Sequence, residues 1–211
     1  MKQYRNREGS SEGAQLDHLI KLQELAAFEN LSQQVEITEE GGLLSFAPSQ
    51  ELAAFENLSQ QVEITEEGLC EDGFGQDPFY KCVVAELPPE CRSKEGHTVI
   101  GYGLYYFTYS TWKGRNVYTE DLYVMPEFRG KGVGRKLLRE IAKIALEKGC
   151  TQMRLGVLDW NRPAIDFYFR RGAVDLTAAE GWHSFRFEAE ALKQLALGEG
   201  GTGAGLGSSK P

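Results

Sequence analysis

The sequence predicts one α/β domain built around a mixed sheet. Two observations lead to this fold class. Three strand-like segments follow one another between residues 79 and 125, and helix-like segments then alternate with further strand-like segments. The chain of 211 residues, 41% hydrophobic and 11% aromatic, is also long enough to bury a single core. We therefore assign residues 1–197 to a single domain.

The first half of the chain predicts a helix followed by three strands. Residues 14–31 place Leu16, Ile20 and Ala27 at near-helical spacing, which is typical of an amphipathic helix. Valine, tyrosine and phenylalanine then recur in three segments that we interpret as strands, 79–87, 97–110 and 115–125. The stretch "STWKGRN" supplies the turn between the last two strands.

The second half continues the alternation. Residues 135–148 place an apolar stripe on one helical face and charges on the other, and Gly149 ends this helix. We predict a strand at 151–160, a short helix at 162–172 and a last strand at 183–190. The segment 198–211 is rich in glycine and serine and is predicted to be a disordered tail.

The N-terminal half contains a perfect repeat. Residues 24–41, "ELAAFENLSQQVEITEEG", recur letter for letter at 51–68, so that a unit of 27 residues, 24–50, is followed by a second copy. Solenoid units vary and number at least three. We interpret the repeat as a recent in-frame duplication or an error in assembling the coding sequence. The extra unit is expected to be a loop or an ancillary helix at the sheet edge, and a chain with one copy at least as stable and active.

Composition and charge exclude several classes of function. The formal net charge of −8 argues against nucleic acid as a partner. The four cysteines form no C-x-x-C pair and the three histidines are scattered, so no metal site is expected. No apolar run is long enough to span a membrane, and "MKQYRNREGSSEG" lacks the apolar core of a signal peptide. We therefore expect a cytoplasmic protein without a membrane partner.

The most informative motif is the glycine-rich turn "RGKGVGRK" at 129–136. Its glycine spacing fits neither a P-loop nor a dinucleotide-binding fingerprint. The pattern R-x-x-G-x-G, after a strand and at the start of a helix, predicts an anion site made of backbone N–H groups. Such a turn is typical of the pyrophosphate-binding segment of acyl-CoA N-acyltransferases.

Longer blocks strengthen this interpretation. "GYGLYYFTYSTWKGRNVYTEDLYVMPEFRGKGVG", "VLDWNRPAIDFYFRRGA" and "DLTAAEGWHSF" resemble the diamine (spermidine/spermine-type) acetyltransferase family of the Gcn5-related N-acetyltransferases, and most of all its thialysine-acetylating branch. The resemblance implies that family's fold, a mixed, mostly antiparallel central sheet flanked by helices. It also implies direct acetyl transfer from acetyl-CoA to a small cationic amine through a tetrahedral intermediate, without a metal, in a homodimer.

The resemblance further implies two sets of site residues. The residues implied to bind acetyl-CoA lie on the third strand, the glycine turn and the helix after "WN": Leu122, Tyr123, Val124, Arg129, Gly130, Lys131, Gly132, Val133, Gly134, Arg135, Asn161, Arg162, Pro163, Ala164 and Arg171. Those implied to bind the amine are Phe28, Glu29, Glu120, Arg154, Leu155 and Gly156. The aromatic–acid pair occurs twice, so Phe55 and Glu56 stay open as an alternative to the favoured Phe28 and Glu29.

Two residues are candidates for proton transfer. Side chains alternate along a strand, so Glu120 and Asp121 should point to opposite faces unless a bulge intervenes. The family pattern selects Glu120 to hold the ammonium and accept its proton, and leaves Asp121 a structural role. Tyr168 is the candidate acid for the departing thiolate, because phenol and thiol pKa values lie within about two units of each other.

Two other functions use the same core. Acetylation of protein N-termini or lysines would need an open peptide groove, whereas "STWKGRN" and "TAAEGWH" are typical of loops that close over a small amine. A non-catalytic acyl-CoA-binding module would not need Glu120 or Tyr168, and both are present.

Overall fold

The computed structural model describes residues 36–38 and 46–198. The chain divides into two compact units, one ending at Gly156 and the other beginning at Val157, and each is described by itself. The helix predicted at 14–31 and all but the first residue of the predicted tail lie outside the described residues. The assignment of 1–197 to a single domain stays a prediction.

The first unit contains a five-stranded sheet in which spatial order follows chain order. Its first four strands pair antiparallel, and the last pair is parallel. The three consecutive strands predicted from the sequence are confirmed as β2, β3 and β4, and Gly114 at φ +81° closes the predicted turn before β4. The strands are β1 (Glu36–Thr38), β2 (Lys81–Glu86), β3 (Val99–Ser110), β4 (Gly114–Val124) and β5 (Gln152–Leu155).

One long helix, α3 (Val133–Glu147), packs its apolar stripe on the sheet. The buried side chains recur every three or four residues, as an amphipathic helix requires: Val133, Leu137, Ile141, Ile144 and Ala145. Gly103 of β3 allows this close packing, because a Cβ at that position would lie 2.8 Å from Ile141 Cδ1. As predicted, Gly149 closes the helix: it follows the last helical residue, Glu147, by two positions and its φ is +74°.

The repeated segment adopts two structures. The Glu-Ile-Thr of the first copy is β1 and pairs with Glu86–Val84 of β2. The same tripeptide in the second copy leads into α2 (Glu66–Phe74), where the Thr65 hydroxyl accepts a hydrogen bond from the Gly68 N–H (3.1 Å). The helix before it, α1 (Phe46–Phe55), begins in the spacer and ends within the second copy. At the sheet edge the first copy therefore supplies a strand, and the loop or ancillary helix expected for the extra unit stays a prediction.

The second unit contains three described helices, α4 (Arg162–Phe169), α5 (Leu176–Glu180) and α6 (Ala189–Leu197). The start of α4 agrees with the sequence prediction. The predicted strand at 183–190 is wrong: 181–188 is irregular and α6 begins at Ala189. Residues 157–198 contain no strand, and Phe185 of this segment is 87% exposed. The strand predicted at 151–160 also ends early, at Leu155.

Neither unit contains a described helix long and apolar enough to cross a membrane.

Candidate active site

The centre of the candidate site is a bulge in β4. Leu104 of β3 pairs with Asp121, but the next residue, Tyr105, pairs with Thr119. Glu120 is therefore an extra residue on β4, and a bulge of this kind interrupts the alternation of side chains between the two faces. Strict alternation would place the side chains of Glu120 and Asp121 on opposite faces of the sheet. With the bulge, both side chains can lie on the same face.

Two hydrogen bonds from tyrosine hydroxyls show that Glu120 and Asp121 lie on the same face of the sheet. The Tyr106 hydroxyl donates to Glu120 Oε2 and the Tyr102 hydroxyl donates to Asp121 Oδ2, each at 3.1 Å. Tyr102 and Tyr106 are four residues apart on β3, so both side chains lie on the same face of the sheet. Glu120 and Asp121 consequently form an acidic pair on that face, Glu120 exposed and Asp121 largely buried.

Burial and neighbouring carboxylates make it costly to ionise the acidic groups of this face. Burial is the main cause that raises the pKa of Asp121 to about 6, the hydrogen bond from Tyr102 opposes it, and Glu120 and Glu56 add to the rise. Burial also raises the pKa of Glu56. Glu51 of α1 accepts a hydrogen bond from the Tyr123 hydroxyl. A cation bound here would relieve the repulsion between these carboxylates, so the face favours a cationic ligand.

Beyond the bulge, β4 extends further than its neighbour β5. Their parallel pairing ends at Thr119 and Leu155, whereas β4 continues to Val124. The residues predicted to hold the thioester arm, Leu122, Tyr123 and Val124, lie on this extension. Strand edges of this kind bind extended ligands through backbone hydrogen bonds.

The glycine turn follows directly after β4. Gly130 and Gly132 adopt φ values of +74° and +80°, a left-handed conformation that side chains disfavour. Gly132 is the N-cap of α3 and provides no side-chain cap, so the first N–H groups of that long helix have no side-chain acceptor at their N-cap. The turn therefore fits an anion such as a CoA phosphate.

The basic side chains of the turn are anchored in different ways. Arg129 Nε donates to the Val124 carbonyl (2.8 Å), which fastens the turn to the end of β4. Lys131 Nζ lies 5.2 Å from the centre of the Phe128 ring. The Arg135 side chain is exposed and lies beside Gly132. The turn thus carries three cationic side chains, and Val133 and Gly134 begin α3.

The second copy of the repeat lies beside this turn. The Arg129 guanidinium lies 4.9 Å from the centre of the Phe55 ring and 5.6 Å from that of Tyr123. Glu56 is near enough to Asp121 to raise its pKa. The structure therefore brings the Phe55–Glu56 pair to the candidate site. Phe28 and Glu29 lie outside the described residues, and their assignment stays a prediction.

The end of β5 borders the same face. Arg154 pairs with Tyr118 and Leu155 pairs with Thr119 across the parallel strands. The ring of Tyr118 stacks on that of Tyr106, with 5.4 Å between centroids. A Cβ on Gly156 would lie 3.2 Å from the Tyr118 hydroxyl, so only glycine leaves this phenol uncrowded.

The remaining predicted residues belong to the second unit. Tyr168 on α4 is half-buried, and burial raises its pKa to about 12 although Arg171 opposes the rise. The side chain of Asn161 caps α4 by accepting from the Ala164 N–H (3.3 Å), and Arg162 and Pro163 form the first turn. Arg171 lies over the Phe167 ring, 3.6 Å from its centroid. Tyr168 is thus a protonated phenol at neutral pH.

Sequence reasoning missed the tyrosines of this face and the carboxylate of Glu51. Tyr102 and Tyr106 occur at even spacing in "GYGLYYFTYS", a signal that they share a face of β3. Which face carries the carboxylates depends on the bulge. Among residues 36–38 and 46–198, no cluster of three or more histidine, cysteine or acidic side chains could hold a metal ion.

Comparisons with known proteins bear on the family and the fold. Residues 53–173 match the model of the acetyltransferase (GNAT) family. The thialysine N-epsilon-acetyltransferase of Sus scrofa is 58% identical over 178 residues, which cover 84% of this chain and 89% of the pig protein. That of Bos taurus is 59% identical over 83% and 87% of the two chains. A V. cholerae integron cassette protein of known structure matches 77% of this chain and 98% of its own, with a TM-score of 0.60 and 24% identity.

Proposed function

The chain belongs to the acetyltransferase (GNAT) family and is an acetyltransferase, and from that premise we propose that its substrates are thialysine and related small diamines or polyamines. Acetyl-CoA is the acetyl donor that the family implies. The observation that carries the proposal is one strand, β4, which presents two carboxylates at its bulge and then runs past β5 into an anion-binding turn.

In this proposal the first unit binds both substrates. The N–H groups at the start of α3, with Lys131 and Arg135, hold the CoA phosphates. The β4 extension at Leu122–Val124 holds the pantetheine arm, whose bound thioester supplies the acetyl group. The acidic face positions the amine beside Glu120, and Phe55 and Glu56 border it.

Proton transfer then needs a base and an acid. An alkylammonium has a pKa of about 10.4, so the amine must lose a proton before it attacks. Glu120 is exposed and hydrogen-bonded to Tyr106, and it attracts the ammonium and accepts its proton, directly or through water. Tyr168 stays protonated at neutral pH and donates to the departing thiolate sulfur. No step requires a metal.

The test is a substrate panel. CoA release is measured with thialysine, lysine, spermidine, putrescine and a lysine-containing peptide, for the wild-type chain and for Glu120→Gln. We expect turnover of the small amines, little turnover of the peptide, and a loss in kcat/KM for the amine that exceeds any change in the KM for acetyl-CoA. Peptide turnover above amine turnover would favour a protein acetyltransferase, and acetyl-CoA binding without turnover would favour a non-catalytic module.

Two further properties are part of the proposal. We expect a homodimer in the cytoplasm, as the resemblance implies. Light scattering coupled to size-exclusion chromatography measures the first property, and cell fractionation measures the second.

A further inference from the structure

Tyr106 joins the exposed carboxylate of the bulge to the aromatic side chains beside it. Its hydroxyl donates to Glu120 Oε2 at 3.1 Å. Its ring stacks on the ring of Tyr118, with 5.4 Å between centroids and 23° between the ring planes. Tyr106 and Tyr118 are paired directly across β3 and β4, so the stacked rings belong to cross-strand neighbours. The phenol is therefore in contact with an aromatic ring and with a carboxylate at the same time.

The backbone pairing leaves the Glu120 side chain little support of its own. Glu120 is the extra residue of the bulge, and in the register of β3 and β4 it faces no residue on β3. The pairing of β4 with β5 ends one residue before it, at Thr119. An exposed glutamate has three rotatable side-chain bonds and loses much rotamer freedom when it is fixed. Tyr106 has only two such bonds, and its ring is stacked, so its hydroxyl is a firm point of attachment for the carboxylate.

The hydrogen bond also leaves the carboxylate able to bind a cation. The two oxygens of a carboxylate together accept about four hydrogen bonds, so a bond to Oε2 leaves capacity for an ammonium. Burial is the main cause that raises the pKa of Tyr106 to about 12, and the charge of Glu120 and the hydrogen bond to it add to the rise. Tyr106 is consequently a donor throughout the neutral range. A donor of this kind favours the ionised form of its acceptor, which is the form that attracts an ammonium and accepts its proton.

We propose that Tyr106 is a positioning residue for the reaction: its hydroxyl fixes the Glu120 carboxylate in the orientation that receives the ammonium of the substrate. Tyr106 acts through Glu120 and exchanges no proton with the substrate itself. The inference rests on the proposed function, because it takes Glu120 as the base.

The experiment removes one hydroxyl. Tyr106→Phe keeps the ring that stacks on Tyr118. Tyr109→Phe is the matched control, because Tyr109 is 74% exposed and lies three residues further along β3, on the other face. CoA release is measured with thialysine for the full chain and both variants. We expect Tyr106→Phe to lower kcat/KM for the amine roughly fivefold to thirtyfold without changing the KM for acetyl-CoA, and Tyr109→Phe to equal the wild type.

The pH profile separates positioning from packing. The titratable and charged groups around Glu120 are Tyr106 on β3, Tyr118 and Asp121 on β4, and Arg154 on β5. Loss of the Tyr106 hydroxyl should move the acidic limb of kcat/KM for the amine to higher pH by roughly half a unit to one unit, because the carboxylate loses a donor that favours its ionised form. The pKa of Asp121 is about 6, so the same shift is also measured in Asp121→Asn, where this carboxyl no longer titrates. A ring that only packs would leave the limb in place.

A double-variant comparison shows whether Tyr106 acts through Glu120. Alanine at position 120 accepts no side-chain hydrogen bond, so Tyr106→Phe should change the residual rate of Glu120→Ala by less than about twofold. If Glu120→Ala has no measurable rate, the acidic limb decides alone. An equal loss in both backgrounds, or an acidic limb that does not move, would overturn the inference and leave the proposed function intact. Wild-type kinetics in Glu120→Gln would instead remove the proposed base, and the inference with it.

Discussion

Replacing Asp121 by asparagine should stabilise the protein at neutral pH. The pKa of Asp121 is about 6 in the folded chain against an ordinary value of 3.8, mainly because the carboxyl is buried. Between these two values the native state binds more protons than the unfolded state. The free energy of unfolding therefore falls as pH rises through the window from about 4 to 6, and the ionised carboxylate is a cost at pH 7.

The size of this cost follows from the pKa shift. Each unit corresponds to 1.36 kcal/mol, so the rise to about 6 represents about 2 to 3 kcal/mol at pH 7. Asparagine has nearly the same shape and keeps an oxygen that can accept from the Tyr102 hydroxyl. Asp121→Asn should raise the free energy of unfolding at pH 7 by up to that amount and reduce its slope between pH 4 and 6.

Urea unfolding followed by tryptophan fluorescence at a series of pH values measures both quantities. Glu120→Gln is the matched control, because it removes an exposed carboxylate from the same bulge. Glu120 contributes less than burial to the raised pKa of Asp121, so this variant should change stability less than Asp121→Asn. A variant Asp121→Asn that is less stable than the wild type at pH 7, or that keeps the wild-type slope, would refute the reasoning.

Three other substitutions test separate parts of the structure. Tyr168→Phe should lower kcat with little change in the KM for acetyl-CoA, since it removes the proposed proton donor, and steady-state rates equal to wild type would remove Tyr168 from that role. Gly132→Ala places a side chain at φ +80°, and it should raise the KM for acetyl-CoA several-fold with a smaller effect on the amine; unchanged kinetics would contradict the proposed phosphate site. Thr119→Val removes a buried hydroxyl that has no hydrogen-bond partner among the described residues, and it should raise the free energy of unfolding by about 1 kcal/mol, a gain that urea unfolding would detect or exclude.

The parts of the fold that sequence predicted are those with strong local signals. The helix α3 has its apolar stripe and closing glycine in one continuous segment, and β3 and β4 are joined by a short turn. The glycine turn was predictable for the same reason. Its spacing and its place between a strand and a helix can be read without knowing any distant contact.

The features that sequence did not predict depend on distant partners. The bulge at Glu120 arises from how β4 registers against β3, and no residue in "VYTEDLYV" marks it. The alternation in "HSFRFEAE" is strand-like, yet a strand forms only where a neighbour completes its hydrogen bonds. The face shared by Glu120 and Asp121 could therefore be established only from the structure.

The repeated tripeptide Glu-Ile-Thr forms a strand in the first copy and precedes a helix in the second, and this difference has a consequence for the exposed edge of the sheet. The first copy covers the outer edge of β2. Without it, the backbone N–H and C=O groups of this edge would be a template for pairing with another chain. The second copy provides Thr65, the N-cap of α2. A chain reduced to one copy has one such tripeptide for two positions. The expectation that the one-copy chain is at least as stable and active stays a prediction. Pairing of β1 with β2 occupies backbone groups on which a second chain could otherwise add a strand.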